Sequence, residues 1–97
     1  MNWKKIKKCP LAYELLIASR DAPTIFYGYI RYLFDFFDEN RVIMIIALDE
    51  LTDKFEAWAI APGSDGYIGT YDNRKVAEEH AILKSFQILE NQLQEQQ

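Results

Sequence analysis

Apolar side chains recur along this chain in two rhythms, one suited to helices and one to strands. Between Pro10 and Arg20, Leu11, Leu15 and Ala18 share one side with Tyr13 and Leu16 close to it, which predicts a short helix opening on a proline and broken by "RDAP". From Thr24 to Asp38, Phe26, Tyr29, Ile30, Leu33, Phe36 and Phe37 fall at helical spacing, while Gly28, Arg31, Asp35 and Asp38 gather opposite. A second helix is predicted there. The aromatic content of residues 24–30 also suits a strand, and Gly28 weakens a helix by roughly 1 kcal/mol.

After the turn "DENR" the rhythm changes. The run "VIMIIAL", Val42 to Leu48, is short, β-branched and apolar on both sides, which predicts a strand covered on both faces or set in the middle of a sheet. The acidic "DELTD" supplies a hairpin connection to "KFEAWAIA", where Phe55, Ala57, Ala59 and Ala61 alternate with Glu56, Trp58 and Ile60. "PGSDG" is a turn, and "YIGTY" a brief third strand. Asp72 or Asn73 can cap a long closing helix that runs to about Gln94. Its broad apolar face carries Ala77, Ala81, Ile82, Ser85, Phe86, Ile88, Leu89 and Leu93, and its polar face His80, Lys84, Gln87 and Asn91. The order α-α-β-β-β-α predicts an α+β fold, with a single layer of three antiparallel strands packed against helices. No repeat or linker divides the chain. Residues 1–97 are expected to form one small domain, with a basic N-terminal segment 1–8 and a frayed C-terminal end 94–97.

Charge alters the picture at one end only. "MNWKKIKK" holds four lysines and no acid, which leaves seven basic against fifteen acidic side chains in the rest, a net of −8. Such a body repels nucleic-acid phosphates everywhere but near its N-terminus. The lysines suit either a solvated helix or extension, or contacts to a phosphate backbone or acidic partner. A leader peptide is not expected, because Glu14 interrupts the apolar stretch after the lysines and no small-x-small site follows. With one cysteine, Cys9, no intramolecular disulfide forms, which fits a reducing cytoplasm. Nowhere do about 18 uninterrupted apolar residues occur, so membrane association is not expected.

Candidate chemistry is sparse. His80 is the only histidine and Cys9 the only thiol, too few for a structural zinc site, and a Cys–His nucleophilic pair would need both to meet beside a third, orienting group. Asp49, Glu50, Asp53 and Glu56 cluster about the hairpin, but Ala57 and Trp58 follow Glu56 where many magnesium nucleases carry Glu-x-Lys, so a solvated acidic turn is expected. Gly63, Gly66 and Gly69 precede a strand without a following Gly-Lys-Ser/Thr, which makes them turn formers rather than a phosphate cradle. No catalytic residue, cofactor or metal site is assigned.

The order of "LFDFFDEN", an apolar strand, a Trp-bearing partner strand, a tyrosine and "NRKVAEEHAILKSFQILENQL" resembles small uncharacterised proteins of phages and prophages of Bacteroidetes, over residues 33–93. Lys75 and Val76 stand where that pattern has acids. The resemblance implies a phage or mobile-element protein working in a bacterial cytoplasm. Proteins of that size and origin often act as stoichiometric inhibitors or adaptors, including inhibitors of CRISPR systems.

The strongest feature is "IFYGYIRYLFDFF", residues 25–37, which holds seven of the fourteen aromatic side chains. Its helix is apolar over an arc of roughly 200°, wider than the ~100° that faces one core. Phe26, Ile30, Leu33 and Phe37 can supply the core, which leaves Tyr27, Tyr32 and Phe34 at the margins. Either both flanks are buried, or this surplus serves a homodimer or a partner. The expected function is non-catalytic protein binding, in which Tyr27, Tyr32, Phe34, Asp35, Asp38 and Glu39 occupy a basic surface on a bacterial protein or ribonucleoprotein. The alternative is nucleic-acid association through Trp3, Lys4, Lys5, Lys7 and Lys8, with Trp58 or Tyr67 as stacking groups. A magnesium-dependent nuclease resting on Asp49 and Asp53 is a third and more distant candidate.

Overall fold

The computed structural model describes residues 3–18, 30–63 and 65–96, and the side chains of all of these except residues 3, 4 and 30–32. The described residues form four helical segments and one sheet, in chain order. They are α1 (Trp3–Ile6), α2 (Pro10–Ala18), α3 (Ile30–Glu39), β1 (Ile43–Asp49), β2 (Lys54–Ile60), β3 (Tyr67–Tyr71) and α4 (Arg74–Glu95). The predicted α+β order is therefore present, preceded by the single helical turn α1. That turn is more than a solvated extension, because Ile6 is fully buried. The predicted helical residues 24–29 and 19–20 lie outside the described residues.

The strands form an antiparallel meander in the order β1-β2-β3. Strand β1 is thus an edge strand, which corrects the expectation of a covered or central one. The central strand is β2, whose Ala57 and Ala59, with Ala61 just beyond its end, are buried as the alternation predicted. Their small side chains let α4 lie close across all three strands. From α4, Ala77, Ala81, Ile82, Ser85, Phe86 and Leu89 are buried, while His80, Lys84, Gln87 and Asn91 stay exposed. Of the two cap candidates it is Asn73 that opens the helix, accepting a hydrogen bond from the Val76 N–H at 2.8 Å.

Helix α3 adds Leu33, Phe36 and Phe37 to this core, with Phe37 edge-on to Phe86 at 4.8 Å between ring centroids. Its end is fixed without glycine. The Val42 N–H donates to the Phe37 carbonyl at 2.8 Å and the Arg41 N–H to that of Asp38 at 3.1 Å, with Arg41 at φ 64°. This is a Schellman ending, completed by buried Val42. It sets the last turn of α3 directly beside the start of β1.

Helix α2 buries Ala12 and Leu16, whereas Leu15, Ile17 and Ala18 are exposed. The inward stripe is Cys9, Ala12, Tyr13 and Leu16, rather than the predicted Leu11, Leu15 and Ala18. A segment that is apolar nearly all round offers two such stripes. The one that wins carries Ala12, which permits close approach to α4.

Candidate functional site

The feature that most resembles a site is the sheet face turned away from the helices. Registry pairs Ile43 with Ile60, Ile45 with Trp58, Ala47 with Glu56 and Asp49 with Lys54, and all of these side chains point outward. Ile43 is 48% and Ile45 42% exposed, and Tyr67 on β3 is 50% exposed. The face therefore grades along the strands from isoleucine and aromatic rings at one end to charge at the other.

A β-bulge completes it. Strand β3 is in register from Phe55–Tyr71 to Ala57–Gly69, and then shifts so that Trp58 pairs with Tyr67. Unbroken alternation would have turned Tyr67 inward. The extra residue, Ile68, packs against the core, and Tyr67 is re-aimed beside Trp58, edge-on with ring centroids 5.1 Å apart. The Tyr67 hydroxyl is tied to that of Thr70 at 2.7 Å.

Acids border this face on two sides. On the α3 side, Phe34, Asp35, Asp38, Ile43 and Met44 line a shallow cleft of about 250 Å3. At the hairpin end stand Asp49, Glu50, Asp53 and Glu56. The Asp49 carboxylate accepts from the Leu51 N–H at 3.0 Å, a turn role, and among the described residues no three His, Cys, Asp or Glu side chains come together as metal ligands.

The predicted binding residues are thus only partly assembled. Phe34 is half-buried against the core, and Asp35, Asp38 and Glu39 are exposed on the last turns of α3. Tyr27 and the Tyr32 side chain lie outside the described residues. Sequence reasoning missed Ile43 and Ile45 as exposed residues. The available signal was a β1 apolar on both sides in a sequence that predicts three strands.

The alternative set is divided. Lys5 and Lys8 line a cleft with Ile68, His80, Leu83, Lys84 and Gln87, Lys7 is exposed, and the side chains of Trp3 and Lys4 lie outside the described residues. Trp58 and Tyr67 sit on the opposite face of the sheet from α4, so they are not stacking groups for those lysines. Cys9 is buried, and burial first, then the negative charge of Glu90, pushes its thiol above the ordinary value. His80 is exposed and stacks on Tyr71, ring centroids 4.4 Å apart.

Another residue that the sequence did not single out is Glu90. It is 5% exposed, accepts the Ala12 N–H at 2.9 Å through Oε1, and accepts the Gln94 side-chain amide at 2.8 Å through Oε2. Ala12 lies in the first turn of α2, preceded by Cys9, whose side chain is a poor cap. Glu90 therefore caps α2 from another helix.

No protein-family model matches this chain, and neither curated proteins nor solved structures yield a match to it.

Proposed function

We propose that this chain is a non-catalytic binding protein of phage or mobile-element origin, which engages a bacterial protein stoichiometrically through the outer face of its sheet. As an inhibitor of a host system, CRISPR immunity among them, it would act by occluding its target. The observation that supports this is the outward ladder of exposed Ile43, Ile45 and Tyr67 with half-buried Trp58 and Ile60, bordered by Asp35, Asp38 and the hairpin acids. An apolar centre with a charged rim is the anatomy of a protein interface. The sign of the rim selects a partner with basic residues around an apolar patch. A second copy of the chain would set acid against acid.

The state of Cys9 also favours binding over covalent catalysis. A reactive thiol has a depressed pKa and access to substrate, and this one is buried and shifted the other way.

The test compares wild type with an Ile43→Asp/Ile45→Asp variant in capture from bacterial lysate, alongside light scattering of each purified protein. A monomeric wild type that retains a stoichiometric partner, lost by the variant at unchanged melting temperature, is the expected result. Equal capture by both proteins, or a wild-type dimer that the variant dissociates, would overturn the proposal.

A further inference from the structure

We propose that the cleft between α1, β3 and α4 binds a small phosphorylated ligand carrying a flat ring, in chemical terms a nucleoside di- or triphosphate. Its volume is about 440 Å3, within the roughly 300–1,000 Å3 of small-molecule sites. Lys5 comes from α1, Lys8 from the turn that follows, and Lys84 from the exposed stripe of α4. Among the described residues none of the three has a carboxylate partner, although the chain has fifteen acids to eleven bases.

Three unpaired ammonium groups converging on one cleft repel each other, and a polyphosphate relieves that repulsion with charge-assisted hydrogen bonds. Beside them, half-buried Ile68 and Leu83 form an apolar wall. Tyr71 covers one face of the His80 ring, nearly parallel at 10°, and exposed His80 lines the cleft. Gln87, one helical turn from Lys84, brings an amide donor and acceptor. Phosphates on the lysines and a base on the wall would use every part of the cleft.

A nucleic-acid strand fits less well. It needs a basic track with successive stacking rings. Beyond residue 8 the chain has a net charge of −8, and the Trp58–Tyr67 platform is on the other side of the sheet. The cleft is independent of the outer sheet face, so failure of one proposal leaves the other standing.

Calorimetric titration at low salt tests it with three probes: ATP, inorganic triphosphate, and an oligothymidylate of about ten nucleotides. ATP is expected to saturate at one site and bind more tightly than triphosphate. A Lys8→Glu/Lys84→Glu variant with an unchanged melt should lose about tenfold or more in ATP affinity, and Leu83→Ala should weaken ATP but not triphosphate. No saturable ATP binding, equal affinity for ATP and triphosphate, tighter binding of the oligonucleotide, or an indifferent lysine variant would each overturn the assignment.

Discussion

Glu90 joins two helices through one side chain, and its replacement separates two contributions. Glu90→Ala leaves the buried Ala12 N–H without an acceptor and is expected to cost on the order of 1–3 kcal/mol. Glu90→Gln keeps an acceptor oxygen and should cost less. Urea denaturation of both variants checks the ranking; equal losses would mean that charge rather than capping matters at this position. Cys9, beside it, carries a pH signature. Its folded pKa is raised, so the unfolded chain releases the thiol proton first as pH climbs. The stability owed to Cys9 is complete below the unfolded value of about 8.5 and is lost as pH rises towards the folded value. The stability difference between wild type and Cys9→Ala is therefore expected to shift against wild type as pH rises above about 8.5. A difference constant with pH would contradict this.

At the level of elements, the β2–β3 connection shows how backbone conformation decides what a residue tolerates. Gly63 and Gly66 both have positive φ, 82° and 89°. A Cβ at Gly63 would meet nothing within 4 Å, whereas one at Gly66 would stand 2.7 Å from Ile60 Cγ1 and 3.2 Å from the Ala59 carbonyl oxygen. Gly66→Ala is accordingly expected to lose several times the ~1 kcal/mol of Gly63→Ala, as a shift of the urea midpoint. Strand alternation was legible in the sequence at Ala57, Ala59 and Ala61, because polar or larger residues separate them. The bulge was not, since nothing in "YIGTY" marks where the register shifts. Strand β1 misled for a different reason: an apolar side chain facing a core and one facing outward look alike in a hydropathy pattern.

Across the whole molecule, most of the stripe of α4 was legible, from Ala77 through Phe86 to Leu89, and it placed His80, Lys84 and Gln87 on the exposed side. Glu90 belongs to the same buried stripe, four residues after Phe86, and a carboxylate there was the one visible sign of a partner in need of an acceptor. The basic cleft was half legible. Its lysines stood out as a run in residues 1–8, but Lys84 is remote in sequence and joins them only through the fold. From β1 to α4, each strand pairs with its neighbour along the chain, and α4 follows directly to cover all three. The link from α2 to that unit spans 78 positions between Ala12 and Glu90. Closing so long a loop costs entropy that the local strand pairings do not, so α2 is expected to open more readily than the sheet. In hydrogen exchange the amides of α2 are expected to show a sub-global opening that undocks its cap from Glu90, and those of β2 to exchange only when the entire chain unravels.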